Sequence, residues 1–181
     1  MIILGISGAF GHDAAAALLI DNNIISFVEE ERILRHKRAV GCLPINSTIW
    51  CLQKAGIKFE DIDILALSWD STLNEKDINL SNYISKYLRY FENNGKKQPT
   101  VFRVNHHLSH AAYTIASSGY NECAVVVVDG HGEKFSTSIG RFQNNLIQFS
   151  EQKDVSQSLG HFMEAISVHM GFGRNGVGKV M

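Results

Sequence analysis

The sequence is short of several things at once, and each shortage narrows the field. Among 181 residues there are 2 prolines and 3 cysteines. Cys42, Cys51 and Cys123 are scattered, odd in number and without a C-x-x-C spacing, which argues against a disulfide framework or a thiolate metal site and for reduced thiols. Long apolar runs are missing too: the longest, Ala14 to Ile20, falls far short of the roughly 20 residues that a membrane-spanning helix needs. The opening Met1-Ile2-Ile3-Leu4 has no preceding basic segment and is broken by Gly5, Gly8, Gly11 and Asp13, so it reads as a strand and not as a secretion signal. A cytoplasmic protein with no membrane partner is expected. Neither charge is in excess: 17 Lys+Arg stand against 18 Asp+Glu, a net charge of -1, and nothing in that balance calls for nucleic acid. What the chain does have is 45% hydrophobic residues. That share buries a sizeable core, as one large domain or two small lobes, and excludes disorder as the main state.

Hydrophobic periodicity orders the chain. Ile2 to Ser7, Ala14 to Ile20 and Ile24 to Val28 read as three antiparallel strands, the last two joined at Asp21-Asn22-Asn23. A helix is expected from Pro44 to Ala55, with Ile45, Ile49, Leu52 and Ala55 at helical spacing and Gly56 as its stop. Ile62 to Leu67 follows as a buried strand, Asp77 to Phe91 as a helix ended by Asn93-Asn94-Gly95, Val101 to Val104 as a strand and Leu108 to Ser117 as a helix of small residues. This alternation is α/β. Strands at Cys123 to Val128, Phe135 to Phe142 and Leu146 to Phe149, then a helix from Ser156 to Met170, restart the opening arrangement. The chain reads as one complete module, residues 1–120, and the start of a second at 121–181, a repeat of topology rather than of sequence.

The residues able to carry chemistry sit at the joints of this arrangement. His106, His107 and His110 lie where a strand hands over to a helix. Four positions apart, His106 and His110 project from one helical face and are placed to share a divalent metal, while His107 points elsewhere; the alternative is a helix start with solvated histidines. Asp129 ends a run of four valines and precedes Gly130, a carboxylate that is costly to bury without a partner, or else an ordinary strand-ending turn. Two histidines and a carboxylate suit Fe(II) or Zn(II). The turns Ser7-Gly8-Ala9-Phe10-Gly11-His12-Asp13 and Asp129-Gly130-His131-Gly132-Glu133 let backbone N–H groups approach phosphate oxygens, although glycine serves tight turns as readily. Together they suggest a nucleotide held between two lobes. His12 is a candidate to accept a proton from a substrate hydroxyl, since histidine titrates near neutral pH, or a turn histidine bonded to backbone. The charged stretch Glu29-Glu30-Glu31-Arg32, with Arg35, His36, Lys37 and Arg38, reads as a solvated face, with an anion-binding role for Arg32, Arg35 or Lys37 as the alternative.

Gly11-His12-Asp13-Ala14, Val28-Glu29-Glu30-Glu31-Arg32, His106-His107-Leu108-Ser109-His110-Ala111, Val128-Asp129-Gly130 with Gly132-Glu133, and Gly178-Lys179-Val180-Met181 form one pattern in order along the chain. This pattern resembles the amino-terminal part of the NodU/CmcH carbamoyltransferase family. The resemblance implies an actin-like ATPase, that is ribonuclease H-like, fold. It implies an enzyme of two parts: a YrdC-like domain makes carbamoyl-adenylate from carbamoyl phosphate and ATP, and the actin-like part moves the carbamoyl group to a hydroxyl of a small acceptor. By the motif match His106, His110 and Asp129 bind the metal and His12 is the base or orienting group for the acceptor. Gly130, Gly132, Ser136 and Thr137 form the phosphate-contacting segment, and Lys179 lies near the nucleotide.

The family pattern runs on past Gly178-Lys179-Val180-Met181 to a further carboxylate ligand and the YrdC-like domain, so this chain alone is expected not to complete turnover. A tRNA threonylcarbamoyl transferase shares fold and ligand spacing, but its motif resembles His-x-Glu-Gly-His, whereas positions 106 to 110 read His-His-Leu-Ser-His. A sugar or acetate kinase of the same superfamily leaves the paired histidines unexplained. A non-catalytic metal-binding or assembly module is the reading from another class. A homodimer stays open.

Overall fold

In the computed structural model, residues 1–9, 11–70, 80–92 and 97–180 are described. By their contacts they form two compact units, Met1–Val104 and Asn105–Met181.

The first unit is a sheet of five strands, β1 (Ile2–Ile6), β2 (Ala15–Ile20), β3 (Asn23–Glu29), β4 (Ile64–Leu67) and β5 (Thr100–Arg103), in the order β3-β2-β1-β4-β5. Strands β1 to β3 are antiparallel neighbours, with Leu4 opposite Leu18; β4 runs parallel to β1, with Leu65 beside Leu4, and β5 parallel to β4. The observed class is mixed α/β, and this order is that of a ribonuclease H-like sheet. Alternation explains the core: Leu4 and Ile6, Ala16 and Leu18, and Leu65 and Leu67 all face one side. Onto that side pack Cys51 and Leu52 of α2 (Ile45–Ala55) and Leu80, Ile84 and Tyr87 of α3 (Leu80–Tyr90), joined by Phe59, Ile62 and Trp69. Phe91 stacks on Phe59 at 4.3 Å between ring centroids, and the Tyr87 hydroxyl lies 2.7 Å from Thr48 Oγ1, tying α3 to α2. The expected helix over 77–91 is seen from Leu80; Ile78 and the stop Asn93-Asn94-Gly95 lie outside the described residues.

The charged stretch keeps Arg32, Arg35, His36 and Lys37 exposed, as expected of a solvated face, but departs from it at Glu30. Glu30–Leu34 forms a short helix, α1, and Glu30 is fully buried. Its carboxylate accepts hydrogen bonds from the Ser47 N–H (2.7 Å), the Asn46 N–H (3.1 Å) and the Asn46 side-chain amide (2.6 Å), so it caps α2, where Pro44 provides no side-chain cap. Arg32 pairs with Glu29 at 2.8 Å, and Arg32 and Lys37 lie 3.6 and 3.7 Å from Glu31, partners within the stretch itself.

The second unit holds an antiparallel meander, β6 (Cys123–Val128), β7 (Phe135–Gln143) and β8 (Leu146–Asp154), with α4 (His106–Ser118) and α5 (Leu159–His169). Strand β8 runs well beyond the expected Phe149, because its outer residues are polar and give no apolar signal. Ala111 of α4 packs on Val125 and Val127, with Ile115, Phe142, Ile147 and Phe149 around them. Contacts therefore group α4 with the second unit, whereas the order of elements places it at the end of the 1–120 module; the two divisions follow different criteria. Among the described residues no helix is long and apolar enough to cross a membrane.

Candidate metal centre

Helix α4 begins earlier than its apolar residues indicate. Asn105 is its N-cap, its side-chain oxygen accepting from the Leu108 N–H at 2.9 Å, so all three histidines fall on helical turns. One turn apart, His106 and His110 face the same way, with rings edge to face at 4.5 Å. Both meet Asp129, just past the end of β6: Asp129 Oδ2 lies 2.8 Å from His106 Nε2 and 3.5 Å from His110 Nε2, and the two Nε2 atoms are 3.1 Å apart. Among the described residues these three form a group whose donor atoms all lie within 4.8 Å of one another. Atoms bound to one ion at about 2.1 Å, at tetrahedral or octahedral angles, stand about 3.0–3.4 Å from each other, close to the 2.8, 3.1 and 3.5 Å seen. Two imidazole nitrogens and a carboxylate oxygen brought together in this way are a donor set that fits a divalent metal. Burial pushes the Asp129 carboxyl up, but hydrogen bonds from His106, His110 and the Gly130 N–H outweigh it and hold the group well below the usual carboxylate range. It is an anion throughout the physiological range.

A second layer fixes this group. Glu133 is 2% exposed, and its carboxylate accepts from the His106 N–H (2.8 Å) and from the Asn105 side-chain amide (2.7 Å), anchoring the first turn of α4. In the sequence Glu133 belongs to a motif that gives it no role of its own. The signal was there: an acidic residue in a turn, with a helix start elsewhere needing an acceptor. His107 turns away from the cluster into the unit, 2.7 Å from Ser138 Oγ, and burial lowers its pKa.

The remaining expected residues are distributed as follows. The Gly130 N–H donates to Asp129 Oδ1 (2.6 Å) and the Gly132 N–H to the Phe135 carbonyl (2.9 Å). Gly132 and Gly160 serve close approach: a Cβ on Gly132 would stand 2.7 Å from the Phe135 oxygen and 2.9 Å from the His107 ring, and one on Gly160, at the start of α5, 2.5 Å from Gly130 Cα, whereas one on Gly130 would make only ordinary contact with the His161 ring, at 3.9 Å. Ser136 is buried and donates to the Asp154 carbonyl at 3.0 Å, while Thr137 stands opposite Val128 in the sheet. Lys179 ends a short 3-10 helix with its ammonium 5.8 Å from the Phe172 ring centroid. His12 lies in the first unit, in the β1–β2 loop, with Nδ1 2.7 Å from Asp13 Oδ2. Phe10 of that loop lies outside the described residues.

Comparison with known proteins agrees with the motif pattern. The chain is 29% identical over 193 residues to the nodulation protein NolNO of Sinorhizobium fredii, covering 98% of this chain and 28% of NolNO. To the protein sll1178 of Synechocystis it is 30% identical over 199 residues, covering 94% of this chain and 32% of the relative. The chain thus spans about a third of the length of these curated relatives. Among solved structures, the ROK hexokinase of Thermus thermophilus superposes with a TM-score of 0.47 at 11% identity over 96% of this chain and 65% of the other. YeaZ of Pseudomonas aeruginosa gives 0.44 at 13%, over 83% and 64%. The family model for the carbamoyltransferase N-terminus matches residues 2–98 and 91–181, and by that match across its length the chain belongs to the carbamoyltransferase family, as an amino-terminal part.

Proposed function

We propose that this chain is the transfer part of an O-carbamoyltransferase in which His106, His110 and Asp129 hold one Fe(II) or Zn(II) ion. The single observation that carries the reading is the convergence of three donor atoms within 4.8 Å at the end of β6, in a chain of this family. When bound, the metal supplies a positive centre that binds the phosphate of the nucleotide and orients the carbamoyl donor. The donor is carbamoyl-adenylate, made from carbamoyl phosphate and ATP by a YrdC-like domain, and the acceptor is a hydroxyl of a sugar-like or natural-product molecule. The acceptor oxygen bonds to the carbamoyl carbon, the bond from that carbon to the phosphate oxygen breaks, AMP leaves, and the hydroxyl proton goes to His12.

Within the second unit, Asp129 orients the two imidazoles and Glu133 keeps the first turn of α4 in place. Since the Gly130 and Gly132 N–H groups already have acceptors in the turn, phosphate contact by this segment requires it to open, or falls to Thr137 and Lys179. The test is a titration with Fe(II) and with Zn(II), under reducing conditions near neutral pH, of the wild type and His110→Ala. One metal per chain in the wild type, and a loss in the variant larger than the about 10–100-fold typical of an outer-sphere change, supports the centre. Equal binding by both proteins would remove it.

A further inference from the structure

We propose that Asp13 is a positioning residue for His12: its carboxylate holds the imidazole proton on Nδ1 and leaves Nε2 bare to receive the proton of the acceptor hydroxyl. This rests on the reading of His12 given above and adds the group that prepares it.

Neighbouring side chains in an extended segment point to opposite faces and do not meet. Asp13 breaks the alternation, with a φ of 56°. Its Oδ2 thereby comes to 2.7 Å from His12 Nδ1. Arg38 Nη2 also lies near this nitrogen, at 3.0 Å, and is 2.9 Å from Asp13 Oδ2. Chemistry decides which contact is the bond. A carboxylate offers only lone pairs and a guanidinium only protons. A bare Nδ1 would set lone pair against lone pair at 2.7 Å, whereas a protonated one makes a charge-assisted hydrogen bond at an ordinary length. Arg38 then gives its N–H groups to the carboxylate, with Nε 3.3 Å from both oxygens and Nη2 closer still. Burial pushes the Asp13 carboxyl up, but the hydrogen bonds from Arg38 and His12 prevail and hold it below the ordinary range, so it is ionised at neutral pH.

The surrounding backbone is arranged around this contact. The Asp13 N–H donates to the Arg38 carbonyl at 2.6 Å, the Gly41 N–H to the Gly11 carbonyl at 2.7 Å, and Ser7 Oγ to the Asp13 carbonyl at 2.8 Å. In the facing loop Arg35, Arg38 and Ala39 also hold positive φ, at 56°, 61° and 44°. Residues with side chains keep such angles only where their surroundings impose them, and these outliers concentrate at working sites.

The test reads the tautomer directly. Ring-nitrogen NMR of the 15N-labelled chain, at a mildly alkaline pH where imidazoles are neutral, is assigned with His12→Gln among the 8 histidines. In the wild type the His12 Nδ1 resonance is expected at the protonated position and Nε2 at the bare one. In Asp13→Asn, a residue that tolerates positive φ, Arg38 captures the amide oxygen and the amide NH2 faces Nδ1, so the two resonances exchange positions. Arg38→Ala keeps the carboxylate and is expected to keep the wild-type tautomer. A bare Nδ1 in the wild type, an unchanged tautomer in Asp13→Asn, or a lost one in a folded Arg38→Ala overturns the proposal; the wild-type spectrum decides even if a variant fails to fold. Transfer from supplied carbamoyl-adenylate to a sugar hydroxyl separates the two readings. Asp13→Asn is expected to lower kcat by about 10²–10⁴-fold with KM little changed. Full transfer by His12→Gln would remove His12 as the base while leaving the tautomer result standing.

Discussion

Glu30 and Glu133 make the same arrangement in two regions of the molecule. Each is buried, each accepts from a backbone N–H at the start of a helix, and each accepts from an asparagine side-chain amide in that helix start. A carboxylate there satisfies donors that have no partner within the helix and meets the positive end of its dipole. What differs is the helix being held. Capped by Glu30, α2 sends Cys51 and Leu52 into a core that also contains Leu4, Leu18, Ile62, Leu65 and Tyr87. The helix held by Glu133 rests on Ala111 against two valines, and its first residue is a candidate metal ligand. In one place the cap secures a helix that packing already holds; in the other the cap sets the position of a functional side chain that packing holds only weakly.

The largest effect is expected where this difference is attacked directly. Glu30→Ala leaves the N-terminal donors of α2 buried and unpaired, a cost of about 3 kcal/mol, measurable as a lower midpoint in urea unfolding. Glu133→Gln keeps an acceptor for the His106 N–H and loses less stability, but is expected to weaken metal binding about 10–100-fold. If instead the Glu133 variant loses several kcal/mol and binds metal unchanged, the two glutamates do the same work.

The sequence made the class, the order of elements and the three converging donors legible, because each rests on a strong local signal. Short continuous apolar runs mark β1, β2 and β4, and four-residue spacing brings His106 and His110 together. It did not show what closes over the chain from a distance. Glu30 sits in a run of charges that resembles a solvated face, and only the fold reveals that α2 begins against it. Glu133 likewise acts on residues 27 and 28 positions away. The glycine turns look alike in sequence and are not alike: Gly11 has a φ of 78° in open space, whereas Gly132 is needed for space.

That contrast is open to a smaller and sharper test. At Gly11 a Cβ meets nothing within 4 Å, so Gly11→Ala pays only for the backbone angle, about 1 kcal/mol, and Gly11→Asn recovers part of it because asparagine tolerates positive φ. At Gly132 a Cβ drives into the Phe135 carbonyl and the His107 ring; alanine costs about 1–3 kcal/mol, and asparagine costs more than alanine. The order of alanine and asparagine is therefore expected to reverse between the two turns. Thermal unfolding of the four variants reads it, and the same order at both positions would show that one cause governs both.

The smallest effect belongs to the loop around His12. Burial raises the Asp13 carboxyl and hydrogen bonds from Arg38 and His12 lower it further, so the folded value lies below the unfolded one, about 3.9. Such a group adds stability above the unfolded value and loses it as pH falls through the folded one, since the unfolded chain then binds more protons. The difference in stability between the wild type and Asp13→Asn is accordingly expected to stay level from pH 7 to about 5 and to shrink below about 4. With 57% of the Asp13 side chain exposed, solvent screens the pair, and the level part is expected to be under about 1 kcal/mol in urea unfolding. Glu31, which accepts from the Arg38 N–H, titrates in the same direction, so only the difference between the two proteins isolates Asp13. A difference of a few kcal/mol would make Asp13 a structural anchor of the Glu30 kind. A small one means that four strained non-glycine residues surround a contact that contributes little to holding the fold, and that the contact is kept for what it does to His12.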